Sequence, residues 1–338
     1  MTNRERVLRT FRRQKIDRLP VIEIAPYWDK TIERWKADGL KVPENPNDIY
    51  NYIGLYDYLG VDPHVRVRLI HRKPNFPKPV YGEGYITCRQ DYLDLKKYLY
   101  PDFDPASMIG PNYMEIKKLH DAGEVFLWIC PDGFFWYPRY LFGITEHLYA
   151  FYDHPDIIKE ICEDLALYMQ KLFADFSQVM TPDLIIFAED MSYNHGSMIS
   201  KDAFDEFVAP YYKMILPGIK ALGIMPFIDS DGNVADLIPW FKGIGLEGIT
   251  PLERQAGVDI VAYKRDYPDF NMFGAFDKTI MHLGIDVLQK EFERIFPVMC
   301  SGGYIPSCDH QTPPAVSLED YRLYTAMLRE YCYRAVQK

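Results

Sequence analysis

The fold is decided by residues 183–233, which read DLIIFAEDMSYNHGSMISKDAFDEFVAPYYKMILPGIKALGIMPFIDSDGN. An apolar run (183–188) is followed by a helical stretch (201–222) and by a second apolar run (224–228). A strand, a helix and a strand in this order are typical of a parallel β-α-β unit. Both apolar runs end on acidic residues, so we expect carboxylates at the carboxyl edge of a parallel sheet.

The same alternation continues along the rest of the chain. Further candidate strands lie at 20–25, 65–70, 125–130, 246–250, 270–275 and 302–306, and further candidate helices at 155–179, 286–299 and 318–336. Eight strands alternating with helices predict an α/β fold, a (β/α)8 TIM barrel, formed as a single domain by residues 1–338. The strand at 65–70 fits least well, because VRVRLI alternates charged and apolar residues.

Two segments are expected to lie outside the barrel. The pattern TNRE at residues 2–5 is typical of a capping box and predicts an N-terminal helical extension through Arg13. The segment KPVYGEGYITCRQ (78–90) predicts a small excursion from the barrel around residues 71–90.

Composition and charge exclude several classes of protein. The 338 residues are 48% hydrophobic, enough for a large core, and their net charge of -10 argues against binding to nucleic acid or an anionic membrane. No apolar run approaches the ~20 residues of a membrane helix, and the charged opening does not resemble a signal peptide. Six cysteines without paired spacing suit a reducing compartment. We therefore expect a cytoplasmic protein, either monomeric or oligomeric.

Polar side chains collect where the predicted strands end, which in such barrels is the active-site face. They are Glu23, Tyr27, Asp29, Asp132, Arg139, Glu189, Asp190, Asp229, Asp231, Glu253, Asp277, Cys308, Asp309 and His310. Converging carboxylates repel one another unless they share protons, pair with a cation or bind a metal ion. Each aspartate could instead cap a following helix, and Asp231 and Asp277 are well placed to do so. The aromatic run at 134–137 could line a ligand or pack in the core.

Four separated segments resemble one known family. NRERVLRTFRRQKIDRLPV is similar to the opening of the uroporphyrinogen decarboxylase family, and DLIIFAEDMSYNHGSMISKDAFDEFVAPYYKMI to its fourth strand and the helix after it. FIDSDGNVADLIPWFKGIGLEGITPLE resembles its fifth and sixth strands, and GGYIPSCDHQTPP its eighth. The resemblance implies the barrel, in a superfamily that also holds methyltransferases acting on corrinoid proteins.

Within that superfamily the resemblance implies the methyltransferase branch. True uroporphyrinogen decarboxylases carry an arginine-rich MRQAGRY segment after the first strand, which grips the propionates of their substrate. Here the corresponding segment reads APYWDKTIERW. The carboxyl ends of the strands, which form the mouth of the site, are rich in acidic residues and carry Arg139 as their one arginine. Such a site would bind the eight carboxylates of uroporphyrinogen poorly.

The resemblance also implies a metal site. Coenzyme M methyltransferases of the superfamily bind zinc through a His-x-Cys pair at the fifth strand and a Cys near the eighth. The corresponding residues here are Asp229, Asp231 and Cys308. They imply either zinc or another divalent metal, or a site that has lost its metal and works by proton transfer. Hard oxygen ligands suit the polarisation of an oxygen better than the activation of a thiol.

The expected function is that of an O-demethylase component, which moves a methyl group from a methoxylated, possibly aromatic substrate to a corrinoid protein. The expected catalytic residues are Asp231, Asp309, His310 and Glu189, and the expected substrate-binding residues are Tyr27, Phe134, Phe135, Trp136, Tyr137, Arg139 and Glu253. One alternative is a uroporphyrinogen decarboxylase-like decarboxylase or lyase acting on a cyclic acid, with Asp231 or Asp190 holding a proton. The other is a subunit that docks a corrinoid protein without turnover.

Overall fold

A parallel β-sheet forms the centre of the protein. The computed structural model describes residues 1–41, 49–78, 80 and 82–337. In this part of the chain the strands are β1 (His64–Arg68), β2 (Phe126–Cys130), β3 (Leu184–Ala188), β4 (Ser192–Tyr193), β5 (Gly196–Ser197), β6 (Met225–Asp229), β7 (Gly248–Thr250), β8 (Asn271–Phe276) and β9 (Tyr304–Cys308). Seven of them form a curled sheet in the order β1-β2-β3-β6-β7-β8-β9, and all neighbours are parallel. The short strands β4 and β5 pair antiparallel.

Helices connect the strands and cover the sheet. They are α1 (Asn3–Phe11), α2 (Asp29–Ala37), α3 (Ile49–Leu59), α4 (Arg89–Leu95), α5 (Pro105–Met108), α6 (Tyr113–Asp121), α7 (Trp136–Phe142), α8 (Ile144–Asp153), α9 (Pro155–Val179), α10 (Lys201–Phe207), α11 (Ala209–Ala221), α12 (Leu237–Gly243), α13 (Ile260–Asp266), α14 (Ile285–Met299) and α15 (Leu318–Arg334). Three-residue 3-10 helices lie at Lys96–Tyr98, Arg254–Ala256 and Lys278–Ile280. The architecture is α/β, as the alternation of apolar runs and helical stretches in the sequence predicts.

The concave face of the sheet encloses an inner apolar cluster, and the convex face packs against helices. The inner cluster comprises Val7, Phe11, Ile22, Ile24, Phe126, Trp128, Cys130, Leu184, Ile186, Met225, Phe227, Phe273 and Ile305. Helix α1 covers the amino end of the strands, where the ring of Phe11 lies 4.8 Å from that of Phe227 and 6.2 Å from that of Phe273. The carboxyl end of the strands is therefore the end that remains available for a site.

The predicted first strand, residues 20–25, is irregular. Its backbone runs beside β9 and the start of β1 without forming a ladder. The Ile24 amide donates to the Ser307 hydroxyl (3.0 Å), and the Asp62 amide donates to the Val21 carbonyl (2.7 Å). A proline, which has no N–H to donate, stands at each end of the segment. The other seven predicted strands are present, and the described residues contain no eighth strand of this sheet.

The long predicted helices are also present, with two differences in their bounds. The helical prediction at 201–222 is divided into α10 and α11 at Val208, because Pro210 in the first turn of α11 cannot donate to a preceding turn. The N-terminal helix ends at Phe11 rather than Arg13, whose φ of 54° lies outside the helical region. Between β1 and α4 the described residues contain no helix or strand, and residues 79 and 81 of the predicted excursion lie outside them.

Candidate active site

Two adjoining cavities open at the carboxyl end of the strands. Their volumes are about 220 Å³ and about 320 Å³. Both are lined by Ile24, Ala25, Pro26, Arg66 and Trp128. Asp229, Thr250 and His310 line the smaller cavity, and Glu23, His64 and Arg68 line the larger one. Strands that end on polar residues thus build a site on the face where barrel enzymes hold their substrates.

Three aspartates at this mouth influence one another electrostatically. Burial raises the pKa of the Asp229 carboxyl to about 7, with the charge of Asp231 adding to the shift and Arg66 opposing it. Burial and the charge of Asp231 likewise raise the pKa of Asp190 to about 7, although Arg139 lies 3.5 Å from its Oδ2. Because both groups titrate near neutral pH, each can hold a proton there or give it up.

A second cluster joins three different elements. His310 Nε2, after β9, lies 3.6 Å from Asp231 Oδ2, after β6. One ligand atom each from Asp231, Glu253 and His310 lie within 4.8 Å of one another. Glu253 also accepts from Lys278 Nζ (2.7 Å) and from the Gly232 amide (3.3 Å). Two carboxylates and an imidazole suit a divalent cation such as zinc, so the residues present fit such a group.

The structure does not bring Cys308 to the aspartates of the predicted ligand set. Cys308 is the outward-facing neighbour of Ser307, and its sulfur lies 3.7 Å from Met281 Sδ in the layer between sheet and helices. Asp229 and Asp231 stand at the mouth. Successive side chains of a strand point to opposite faces, which accounts for the separation.

Glu189 is buried and turned toward the start of α7. Its carboxylate accepts hydrogen bonds from the amides of Phe134, Phe135 and Trp136 (2.7, 2.7 and 3.0 Å) and from the Tyr212 hydroxyl. A Cβ at Gly133 would lie 2.2 Å from the Glu189 carboxyl carbon, so glycine is needed for this close approach. Burial raises the pKa of Glu189 to about 7, against the effect of these donors. Glu189 therefore organises the loop after β2 and lines neither cavity.

The aromatic run after β2 is mostly core. Phe134, Phe135 and Tyr137 are completely buried. Trp136 is half-buried, and the Arg139 guanidinium lies 5.0 Å from the centre of its ring. None of these side chains lines the two cavities. The residues predicted to hold an aromatic substrate are thus placed beside the site rather than in it.

Two further predicted site residues belong to buried networks. Asp309 accepts from the Arg254 amide (2.7 Å) and the Lys278 amide (3.2 Å), so it ties together the loops after β7 and β8. Burial raises the pKa of Asp309 to about 7, with Lys278 opposing the shift. Tyr27 is buried, and its hydroxyl lies 2.7 Å from that of Tyr321. Asp277 caps the 3-10 helix that follows it, accepting from the next-but-one amide at 2.8 Å.

The family follows from a direct sequence comparison. The family model for uroporphyrinogen decarboxylase (URO-D) matches residues 135–331, more than half of the chain. The protein belongs to the uroporphyrinogen decarboxylase family. This confirms the resemblance carried by the sequence segments. No curated protein matches the chain in sequence.

One solved structure shows that this URO-D family member shares its fold with a distant protein, and two others are less similar. A methyltransferase from Methanosarcina mazei is 15% identical, with 98% of this chain and 99% of that chain covered and a TM-score of 0.66. A putative vitamin-B12 independent methionine synthase from Listeria monocytogenes is 11% identical, with 96% of this chain and 97% of that chain covered and a TM-score of 0.44. A β-glycosidase from Thermosphaera aggregans is 10% identical, with 82% of this chain and 84% of that chain covered and a TM-score of 0.47. No described helix is long and apolar enough to cross a membrane.

Sequence reasoning missed two arginines of this URO-D family site. Arg66 and Arg68 lie on β1 and line the larger cavity, so Arg139 is not the lone arginine at the mouth. Arg68 pairs with Asp132, and the Nε of Arg66 lies 3.4 Å from the Cys130 sulfur. The signal was present in VRVRLI: its valines face the helices, and its arginines face the cavity. An alternating strand is expected where the inner face of a sheet borders a polar site rather than a core.

Proposed function

We propose that the protein transfers a methyl group from a methoxylated substrate to a corrinoid protein. Membership of the URO-D family supports an enzyme, and the shared fold with a protein named a methyltransferase is compatible with this branch. The observation that carries the proposal is the Asp229 carboxyl, which borders a cavity and has a pKa raised by burial to about 7. Such a group is a general acid at neutral pH.

Methyl ethers need an acid of this kind. The methyl carbon passes to the reduced cobalt of the corrinoid protein, the second substrate, and the carbon–oxygen bonding electrons stay on the oxygen. That oxygen then takes up a proton, and the products are an alcohol or phenol and a methylated corrinoid protein. Asp229 gives the proton at the cavity wall, and the neighbouring pair of Asp231 and His310 connects it with the open mouth. Asp229 thereby lowers the barrier to loss of the oxygen.

A divalent metal is compatible with the same site. Asp231, Glu253 and His310 would hold it, and it would supply Lewis-acid polarisation of the departing oxygen. The donor set replaces the one proposed from the sequence, because Cys308 faces away from the mouth. We place the reaction in the cytoplasm, since the six cysteines are free, as a reducing compartment requires.

The second candidate is a decarboxylase or lyase acting on a cyclic acid. Arg66 and Arg68 favour it, because guanidinium groups at a cavity wall can bind substrate carboxylates. This activity would release carbon dioxide and need no corrinoid. The two candidates therefore differ in their products and in their need for a partner.

Anaerobic spectroscopy tests the proposal. The purified protein is mixed with reduced corrinoid, free or protein-bound, and with a panel of methoxylated compounds, and the visible spectrum is followed for cobalt methylation. We expect methylation that falls at least 100-fold in Asp229→Asn and is unchanged in Asp236→Asn, an exposed aspartate of the following loop. Carbon dioxide release from a cyclic acid without corrinoid would support the second candidate instead.

A further inference from the structure

Arg66 is a cation of the site that makes no direct ion pair with the described residues, although the charge of Asp229 acts on it from beyond 4.0 Å. It is half-buried on β1, and no carboxylate oxygen of the described residues lies within 4.0 Å of its guanidinium nitrogens. Its one hydrogen bond in that part of the chain runs from Nε to the Cys130 sulfur, a weak acceptor. A guanidinium removed from water is normally paired, because its desolvation is costly. Here the remaining donors border both cavities.

The other charged groups of the larger cavity are already engaged. Arg68 pairs with Asp132. Glu23 is buried, and its Oε2 accepts from the Ser307 hydroxyl (2.9 Å) and the Cys308 amide (3.0 Å). Among the described residues that line this cavity, Arg66 is therefore the charged group without a direct ion pair, and the charge of Asp229, which lies outside the lining, acts on it from beyond 4.0 Å.

The rest of the cavity is flat and largely apolar. The His64 ring stacks between those of Tyr56 and Trp128, with centroid distances of 3.9 and 4.9 Å and interplanar angles of 20° and 17°. Trp128 is 1% exposed, and its indole N–H has no hydrogen-bond partner among the described residues. A volume of about 320 Å³ lies at the lower end of the range of small-molecule sites, about 300–1,000 Å³.

We propose that the substrate is a small methoxylated carboxylic acid, and that Arg66 determines this specificity by binding its carboxylate. The inference rests on the proposed function for the methoxy group, but the carboxylate is argued from Arg66 and the cavity alone. A guanidinium binds a carboxylate through two parallel hydrogen bonds, which fixes direction as well as charge. The ring or chain between the two groups lies along the stacked aromatic side chains and the apolar residues at 24–26.

Equilibrium binding tests the inference without any methyl transfer. The probes are the three methoxybenzoates and methoxyacetate, each compared with its uncharged amide by calorimetry in the absence of corrinoid. We expect at least one acid to bind about 100-fold more tightly than its amide, as the loss of a buried charge pair implies. Arg66→Met should abolish that preference, and Arg66→Lys should restore part of it.

Control variants distinguish the effect of Arg66 from that of a neighbouring groove, lined by Arg68, Arg72, Lys73 and Lys78 among others, and from loss of folding. Arg72→Gln removes an arginine that lines the adjoining groove but neither cavity, and it should leave the acid preference unchanged. Thermal unfolding of each variant checks that it is folded, and the comparison of acid with amide in the wild type needs no variant at all. Equal binding of acids and amides, no saturable binding of any acid, or loss of the preference in Arg72→Gln would each overturn the inference. A clear acid preference without cobalt methylation would leave Arg66 as the carboxylate-binding residue and would count against the methoxy group and the proposed function.

Discussion

The buried ion pair between Arg18 and Asp62 provides a sharp test of how the irregular segment at 20–25 is held. The two guanidinium nitrogens of Arg18 donate to the two carboxylate oxygens of Asp62 at 2.7 and 2.6 Å. Asp62 also accepts from the Val21 amide at 3.0 Å. Both ionic side chains are 7% exposed or less. This pair therefore joins the segment that lines both cavities to the residues just before β1.

Asp62→Asn should lower the free energy of unfolding by about 3–5 kcal/mol. The amide keeps the size of the side chain but presents an NH2 group to one guanidinium nitrogen, and the loss of one charge-assisted hydrogen bond costs about 1.5–3 kcal/mol. The remaining cost arises because Arg18 stays buried without a full negative partner. Arg329 lies 3.7 Å from the same carboxylate, so a second cation also loses its partner.

Urea denaturation followed by circular dichroism measures this change. Asp57→Asn is the matched control, because Asp57 is exposed on α3, and its effect should stay within about 0.5 kcal/mol. The double variant Arg18→Met/Asp62→Leu should recover part of the stability, since both charges of the pair are removed together while the Val21 amide and Arg329 still lose the carboxylate. A loss below about 1 kcal/mol in Asp62→Asn, or no recovery in the double variant, would refute the reasoning.

Three further predictions concern the site. The pKa of Asp229, about 7 in the folded protein against about 4 when unfolded, means that its contribution to stability falls as pH rises from about 4 through 7. The free energy of unfolding of Asp229→Asn, relative to that of the wild type, should therefore be about 2 kcal/mol higher at pH 8 than at pH 5. A difference that does not depend on pH in urea denaturation would contradict this. Elemental analysis after zinc loading should show unchanged metal content in Cys308→Ser and loss in His310→Ala, and the reverse pattern would restore Cys308 as a ligand. Glu189→Gln should cost about 2 kcal/mol of stability, because its amide meets backbone N–H donors; lost turnover at unchanged stability would make Glu189 catalytic instead.

The sheet could be predicted from the sequence wherever apolar runs were separated by helices. Seven of the eight predicted strands are present, and six of them have side chains buried on both faces, which leaves continuous apolar runs; β1 is the exception, because its arginines line the larger cavity. The segment at 20–25 has the same composition, but its Val21 and Ile24 amides donate to the side chains of Asp62 and Ser307 rather than to a neighbouring strand. No local pattern in the sequence reports such long-range partners.

The sequence indicated the neighbourhood of the candidate site, and the predicted residues that lie away from the two cavities share a cause. The strand ends do bring Asp229, Asp231 and His310 to one mouth. Cys308 was chosen by position along the chain, whereas the two-residue period of β9 decides which way it points. Glu189 was likewise chosen by position, and its burial depends on backbone donors of another loop. The residue type and its position at a strand end predict the region in which a side chain lies. The direction of the side chain depends on the alternation along the strand and on partners distant in the sequence.

Helix α1 has a consequence for the order in which the chain is assembled during synthesis. Its Phe11 packs on strands made more than 200 residues later, and the Thr10 carbonyl accepts from the Gly303 amide. The ribosome therefore releases this helix long before its binding surface exists. Until β6 and β8 emerge, Phe11 lacks these native partners, so α1 is a segment that a chaperone could bind during synthesis, and its contacts are completed only when β9 has been translated.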